Sequence, residues 1–422
     1  MLKQYALAAS EILLPNERCD MTKWAVVACD QFTAQRDYWR RVQEITGSAP
    51  SALNVIFPEA WLNEGDARIA QINRMMTDYE KNVLTRRVNG FVLVERTVAS
   101  GKRLGLVAAV DLEMYDYARG STSLIRATEG TILERIPPRV RIREHAALEL
   151  PHIMLLADDP ERTLIEPLYA ARDGLPLLYD FELMLGGGHV RGWHVADSAA
   201  LEGPLATLMK RADGLLFAVG DGNHSLATAR RCWLNLRDSL SPQERETHPA
   251  RWALAEIINL HDPALVFEPI HRALFGADPG MLRQDFASWL AARGMALRDC
   301  GPEEAMFTFA GCGGDRPARI EGLANPLPLT ALQPFLDEWL ASHPEASIDY
   351  IHGEEAARAL AADGATGILL PAMDKHTLFE SVRRGGPLPR KTFSMGEANE
   401  KRYYLEARRI RIRPGAPAAG EA

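Results

Sequence analysis

The feature that most constrains the fold is an apolar, strand-like run that passes through a polar turn into a helix-like run. It lies in 214-GLLFAVGDGNHSLATARRCWLNL-236. The turn, Gly220 to Ser225, contains two glycines, an acid, an amide, an imidazole and a hydroxyl. The stretch predicts either a loop that holds a ligand at a helix N-terminus or a plain turn whose helix is capped by Asp221 or Asn223.

The ligand-holding alternative gives each residue of this loop a role. Backbone N–H groups at the start of a helix have no intrahelical partner and attract anions, and glycine lets a phosphate approach the backbone. Asp221 would hold a magnesium ion or orient the nucleophile, and His224 would donate to phosphate oxygens. The predicted phosphate-binding residues of the loop are Gly220, Gly222, Asn223 and Ser225.

A second candidate region is the arginine-rich stretch from residue 121 to 152. Arginine pairs with phosphate or carboxylate in bidentate geometry, so Arg126 is a candidate phosphate ligand. Glu129, in the polar turn Thr128-Glu129-Gly130-Thr131, is a candidate general base. The alternative is a solvated basic face whose arginines pair with surface acids. The charged residues concerned are Arg126, Glu129, Glu134, Arg135, Arg139, Arg141 and Arg143.

Two further polar stretches have the same two interpretations. The stretch 389-PRKTFSMGEANEKRYY-404 would close on an anionic ligand through Lys391, or would only connect to the last strand. In 29-CDQFTAQRDYW-39, Asp30 and Gln31 would point into a site, or would only cap the next helix.

The order of strand-like and helix-like stretches along the rest of the chain predicts α+β or mixed α/β structure. Residues 24–30 are predicted as a buried strand, residues 31–47 as a helix that ends at Gly47, and 90–98 with 104–115 as a hairpin. Neither G-x-G-x-x-G before a helix nor G-x-x-x-x-G-K-[ST] occurs, which disfavours the standard dinucleotide and P-loop folds. The predicted regions are 1–262, 263–413 and a disordered tail, 414–422.

Composition narrows the class of protein. The 422 residues are 47% hydrophobic and carry a net charge of −8, which disfavours nucleic acid as a partner. The sequence has no uninterrupted apolar run long enough to span a bilayer, so no membrane partner is expected. Five scattered cysteines without a CxxC pair predict a cytoplasmic location, without disulfides or a cysteine zinc site.

Several motifs in order resemble the family known as domain of unknown function 1015, DUF1015. They are CDQFTAQRDYW, RATEGT, ELPHIMLLADD, GDGNHSLATA, PIHR and KTFSMGEANEKRYYLE. The resemblance runs from about residue 10 to residue 410, nearly the whole chain. Membership in that family implies no particular activity.

The loop also resembles the ParB/sulfiredoxin-like superfamily, whose strand-loop-helix D/G-G-x-H-R-x-x-A cradles nucleotide phosphates. The superfamily includes sulfiredoxins, ParB-type CTP-binding proteins and free-serine kinases. Residues 221–229 would occupy that loop, and His224 matches its histidine. Ser225 stands where the motif has arginine, so Arg126 or Arg230 would supply the charge. The catalytic cysteine of sulfiredoxins is absent from the loop, which disfavours sulfinic-acid reduction.

These observations together predict a mixed α/β protein with a ParB/sulfiredoxin-like core and an additional α/β subdomain. The predicted function is nucleotide-dependent phosphoryl transfer to a small hydroxylated metabolite, with free serine suggested by the resemblance alone. ATP or ADP with Mg²⁺ is the expected cofactor, with Asp221 at the metal, His224 at the transferring group and Glu129 as base. A non-catalytic nucleotide-binding regulator of ParB-like type and a small-metabolite phosphatase are the alternatives.

Overall fold

The computed structural model describes residues 2–132, 136–311 and 313–412. The predicted tail, 414–422, lies outside the described residues. The chain divides into two compact units. The first unit is Met1–Leu265 with Glu397–Ala422, and the second unit is Val266–Gly396. The chain therefore leaves the first unit and later returns to it.

The strands and helices alternate in a mixed α/β order. The strands are β1 (Leu7–Ala8), β2 (Ser10–Leu14), β3 (Arg86–Val98), β4 (Gly101–Asp111), β5 (Tyr115–Asp116), β6 (Ile125–Ala127), β7 (Leu148–Glu149), β8 (Met154–Ala157), β9 (Leu177–Glu182), β10 (His189–Val195), β11 (Phe217–Asp221), β12 (Trp252–Asn259), β13 (Phe267–Phe275), β14 (Ala296–Asp299), β15 (Phe307–Ala310), β16 (Arg316–Glu321), β17 (Ser347–His352), β18 (Thr366–Leu369), β19 (Phe393–Met395) and β20 (Arg408–Arg409).

The helices are α1 (Met21–Trp24), α2 (Arg36–Thr46), α3 (Gly65–Asn82), α4 (Ile136–Arg143), α5 (Glu166–Ala170), α6 (Ala199–Arg211), α7 (Asn223–Arg237), α8 (Pro242–Thr247), α9 (Pro279–Ala291), α10 (Leu329–Ser342), α11 (Glu354–Ala362) and α12 (Leu378–Gly385). The predicted strand, tight loop and helix at residues 214–236 are confirmed as β11 and α7. The predicted hairpin is confirmed as β3 and β4, which pair antiparallel.

The first unit contains the short two-stranded sheet of β7 and β20 and is built mainly on a mixed sheet of 11 strands. Its strand order is β5-β6-β11-β8-β12-β4-β3-β10-β9, with β1 beside β4 and β2 beside β3. Side chains alternate between the two faces of a strand, and each face is buried in its own core. On β3, Val92 and Val94 belong to one core, whereas Phe91 and Leu93 belong to the other. Burial on both faces explains why these strands are continuously apolar.

The strand directions bring three chain segments to one edge of this sheet. Strands β6 and β11 are neighbours and parallel, so the segments that follow them leave at the same edge. Strand β8 is antiparallel to β11, so the segment that precedes β8 lies at that edge too. These segments contain Glu129, His152 and the loop at Gly222.

The prediction of a strand over residues 24–30 is wrong. Helix α1 ends at Trp24, and the following residues make only an isolated bridge, from Val27 to Tyr403. Backbone hydrogen bonds join this segment to the returning chain, from Ala28 N to Arg402 O at 2.9 Å and from Tyr404 N to Val26 O at 2.9 Å. A short apolar run that is buried by packing gives the same pattern as a strand.

The second unit has its own antiparallel sheet and core. Its strand order is β14-β16-β15-β18-β13-β17, and β19 pairs with β13. Helices α9 and α10 contribute Phe286, Leu290, Leu332 and Phe335 to this core. No helix in the described ranges of either unit is both long and apolar enough to cross a membrane.

Candidate functional site

The turn between β11 and α7 requires glycine at residue 222. Gly222 precedes α7 with φ 78°, a left-handed conformation that favours glycine. A Cβ there would also lie 3.0 Å from Ile153 Cα and 3.2 Å from Ile153 Cγ1. Because Gly222 occupies the capping position, the prediction that Asp221 or Asn223 caps this helix is wrong. No side chain at that position competes with a ligand for the first N–H groups of the helix.

Asp221 ends β11 beside a buried ammonium group. The register of β11 against β8 shifts between Val219 and Asp221, so Gly220 sits at an irregularity of the strand. The side chain of Asp221 is 19% exposed, and its Oδ2 lies 3.9 Å from Lys401 Nζ. That oxygen has no hydrogen-bond partner within the described part of the chain. A carboxylate and an ammonium therefore face one another without a tight contact between them.

The first residues of α7 continue this polar edge. Asn223 Oδ1 is buried and has no hydrogen-bond partner among the described residues. His224 is half-buried, and its Nε2 accepts a hydrogen bond from Ile132 N at 3.2 Å. Donation from His224 to a phosphate would therefore use Nδ1. Ser225 is half-buried in the first turn of the helix.

The segment after β6 lies against this loop. The Thr128 hydroxyl donates to Val219 O at 2.6 Å, and the hydrogen bond from Ile132 reaches His224. Glu129 is half-buried between these two contacts in the chain. The structure therefore brings the segment of Glu129 to the segment of His224.

Two hydrogen bonds of Arg126 lie at the other end of the strands. Its Nε donates to Ser123 O at 2.9 Å and its Nη2 donates to Gly214 O at 2.6 Å. Both carbonyls precede the strands β6 and β11, whereas Asp221 ends β11. These bonds connect two loops, so Arg126 as a phosphate ligand stays a prediction.

The arginines of α4 pair with carboxylates of the first unit. Arg139 pairs with Glu59, Arg141 with Asp66 and Arg143 with Glu149. These contacts favour the second interpretation of the stretch, in which its arginines pair with acids. Glu134 and Arg135 lie outside the described residues.

A second polar group at this edge includes His152 and Tyr404. His152 lies two residues before the start of β8 and is buried, and its Nδ1 lies 2.9 Å from Tyr404 Oη. Tyr404 Oη also accepts a hydrogen bond from Cys29 N at 3.1 Å. Tyr404 therefore connects His152 to the segment that carries Asp30.

Asp30 is an ionised carboxylate in this group. Burial alone would raise its pKa, but His152, a hydrogen bond from Gln31 and Lys401 outweigh burial and hold the pKa below its usual range. Burial, together with Asp30 and Glu59, raises the pKa of the Cys29 thiol to about 12. The thiol is thus kept protonated, which argues against a nucleophilic role for Cys29.

Buried arginines hold the returning segment that supplies Lys401 and Tyr404. Arg96 donates to Asn399 O at 3.0 Å, and Arg103 donates to Glu400 O at 3.2 Å. Burial and the neighbouring Arg103 lower the pKa of Arg96 to about 9. Arg402 donates to Pro151 O at 3.2 Å and pairs with Glu256 and Glu406. Hydrogen bonds from these arginines therefore hold the backbone on both sides of Lys401.

Lys391 lies in the second unit, whereas the loop, Lys401 and Glu129 belong to the first. It is exposed and has a positive φ of 57°. Its predicted role as a ligand of the cofactor stays a prediction.

The residues fit a magnesium ion only if a ligand supplies further oxygens. The described residues contain no group of three or more His, Cys, Asp or Glu side chains that could hold a metal. Magnesium in nucleotide sites is commonly bound by one or two carboxylates together with phosphate oxygens. The unpartnered Oδ2 of Asp221 suits that arrangement.

The sequence matches the model of one family, "Protein of unknown function (DUF1015)", over residues 12–412. This match confirms the resemblance drawn from the motifs. No curated protein matches the chain.

Solved structures with a similar arrangement include a free serine kinase variant in complex with AMP. It is 13% identical with a TM-score of 0.41, over 70% of this chain and 92% of that one. A conserved hypothetical protein from Pyrococcus furiosus is 14% identical with a TM-score of 0.37, over 70% and 95%. C-terminally truncated SbnI from Staphylococcus aureus is 10% identical with a TM-score of 0.39, over 72% and 87%. Similarity at this level assigns neither a ligand nor an activity to this chain.

Proposed function

We propose that this chain, which belongs to the DUF1015 family, is a nucleotide-dependent phosphotransferase whose donor phosphates bind at the start of α7. The acceptor would be a small hydroxylated metabolite. Free serine is the first acceptor to test, because the loop resembles that of free-serine kinases. Phosphoryl transfer requires mainly positioning and charge stabilisation, which the polar edge of the first unit offers.

The observation that carries the proposal is the pair formed by Lys401 and Asp221 beside the uncapped start of α7. Lys401 is buried, and the carboxylate 3.9 Å away has an oxygen without a hydrogen-bond partner in the described chain. Asn223 adds a second such oxygen. Buried polar groups are normally satisfied, so groups left without a partner at one loop indicate a ligand.

Each group has a chemical part in this proposal. The N–H groups of α7 and the ammonium of Lys401 would bind phosphate oxygens. Asp221 would hold magnesium, which when bound neutralises charge on the donor phosphates. Glu129 remains the proposed base, and Asp30 is a second carboxylate that could accept the acceptor hydroxyl's proton. Single Glu129→Gln and Asp30→Asn variants separate these two roles.

Thermal unfolding with nucleotides tests the proposal. The purified chain would be melted with ATP, ADP, CTP and GTP at millimolar concentration, each with and without magnesium. A ligand that binds only the folded state raises the melting temperature. We expect one nucleotide to do so in a magnesium-dependent manner, and we expect Asp221→Ala to abolish the magnesium-dependent part.

The matched control is Asp180→Ala, which removes an exposed carboxylate on β9 of the same unit. It should leave the nucleotide shift unchanged. A flat response to all four nucleotides would reject the proposal. A shift without phosphoryl transfer to serine or other small alcohols would favour the regulatory alternative.

A further inference from the structure

The hydrogen bonds of Tyr404 determine which nitrogen of His152 carries a proton. A backbone N–H can only donate, so the contact of Cys29 N at 3.1 Å uses a lone pair of Tyr404 Oη. The hydroxyl proton then needs an acceptor of its own. His152 Nδ1, 2.9 Å away, is a strong one, whereas the nearby thiol of Cys29 is weak.

Donation from Tyr404 leaves Nδ1 of His152 without a proton. The ring proton is then on Nε2, because a hydrogen bond to one ring nitrogen fixes the role of the other. The ring edge next to Nε2 faces the loop. His152 Cδ2, which is bonded to Nε2, lies 3.5 Å from the position of a Cβ at Gly222.

We propose that Tyr404 is a positioning residue that holds His152 as the Nε2–H tautomer, and that this N–H is a further donor to a phosphate at the start of α7. The second part rests on the proposed function. The carboxylate of Asp30 interacts with both His152 and Lys401. Through its Nε2–H, His152 would bind a phosphate next to the positive charge of Lys401.

The tautomer can be measured in the ligand-free protein by two-dimensional ¹H–¹⁵N NMR of ¹⁵N-histidine-labelled chain. The signals of residue 152 would be assigned with His152→Gln. We expect Nδ1 to have the shift of an unprotonated nitrogen and Nε2 that of a protonated one. Tyr404→Phe should produce a mixture of tautomers. A protonated Nδ1 in the wild-type chain, or an unchanged pattern in Tyr404→Phe, would overturn the positioning role.

Tyr115→Phe is the matched control. Tyr115 is also buried in the first unit, and its hydroxyl has no hydrogen-bond partner among the described residues. It should leave the His152 signals and the nucleotide affinity unchanged. The wild-type measurement stands even if Tyr404→Phe folds poorly.

Affinity for ADP with magnesium tests the donor role. We expect binding to weaken about two- to tenfold in Tyr404→Phe and not in Tyr115→Phe. Equal affinity in both variants would overturn the donor role while leaving the tautomer result in place. If the wild-type chain bound no nucleotide, the proposed function would fail, and the NMR pattern would still decide whether Tyr404 positions His152.

Discussion

The polar groups around Asp221 and Asn223 in the first unit differ from those around the buried Arg272 in the second unit. The difference is whether they have hydrogen-bond partners. In the second unit, fully buried Arg272 donates to Gln333 Oε1 at 3.0 Å and to Arg390 O at 3.1 Å. Gln333 in turn donates to Asp337, which pairs with Arg390 at 2.6 Å. These groups satisfy one another.

In the first unit, Asp221 and Asn223 each keep a buried oxygen without a partner in the described chain. Polar groups that are satisfied stabilise a fold, whereas those left unsatisfied cost stability and are retained where they bind something. The comparison predicts that substitutions in the two clusters will have opposite effects: lost stability in one and lost ligand binding in the other.

Arg272→Met should have the largest effect on stability. It removes the donor to Gln333 Oε1 and to the carbonyls of Ile270 and Arg390, and breaking such a buried network costs about 3–5 kcal/mol. Denaturant unfolding would measure the loss. Nucleotide affinity, measured where the variant is folded, should be unchanged. A variant as stable as the wild type would remove the structural role assigned to this cluster.

Glu149→Gln tests a satisfied charge within the first unit itself. Glu149 is buried and accepts from Arg408 Nε at 2.8 Å and Leu254 N at 2.9 Å, and it also pairs with Arg143. Burial would raise its pKa, but Arg408 and Arg143 outweigh burial and lower it. We expect a loss of about 3 kcal/mol at neutral pH.

The pH dependence of that loss has a defined sign. Because the pKa in the folded state is lowered, the carboxylate contributes stability above its unfolded pKa and loses it as the pH falls through the folded value. The difference between wild type and Glu149→Gln should therefore shrink below about pH 4. A difference that stays constant from neutral to acidic pH would contradict this assignment.

Asp221→Asn should lower turnover without lowering stability, which is the reverse of the effect expected for Glu149→Gln. Removing one charge-stabilising group from a phosphoryl-transfer site lowers turnover about a hundredfold, or about 2.7 kcal/mol. The free energy of unfolding should stay equal or rise, since a carboxylate with an unsatisfied oxygen is removed. Steady-state kinetics and denaturant unfolding on the same preparation give both values. A destabilised variant with normal turnover would show that Asp221 stabilises the fold and does not take part in phosphoryl transfer.

Lys401→Met should weaken nucleotide binding about tenfold. The variant removes the buried ammonium but keeps most of the side chain's length and apolar contacts, so the fold should persist. Calorimetry at two salt concentrations would measure the affinity. The control is Lys102→Met, since Lys102 Nζ contacts Glu95 on the same sheet and its side chain is 59% exposed. Equal affinities in the two variants would argue against a phosphate contact from Lys401.

Local features were predictable from the sequence, whereas contacts between distant segments were not. The strand, turn and helix around Gly222 and the hairpin of β3 and β4 follow from patterns within a few residues. Helix α2 ends before Gly47 as predicted, with φ 53° at that glycine.

The partners of the site could not be found in this way. His152 meets Tyr404 across 252 residues, and Lys401 reaches Asp221 only because the chain returns to the first unit after the second. The motif that contains Lys401 and Tyr404 is rich in polar residues, but periodicity does not show which groups they face. The arginines of α4 fit either interpretation until their carboxylate partners are known.

Substitution of Arg126 should have the smallest effect on stability. It is nevertheless a decisive test, because the sequence and the structure favour different roles for this residue. As a phosphate ligand it would control affinity, but its two backbone hydrogen bonds connect the loops before β6 and β11. Arg126→Ala should therefore cost about 1 kcal/mol of stability and leave ADP affinity unchanged. Denaturant unfolding and calorimetry measure the two effects. If affinity falls by tenfold or more while stability is kept, Arg126 belongs with Lys401 among the phosphate-binding groups, and the satisfied contacts of this arginine are a resting arrangement that a ligand replaces.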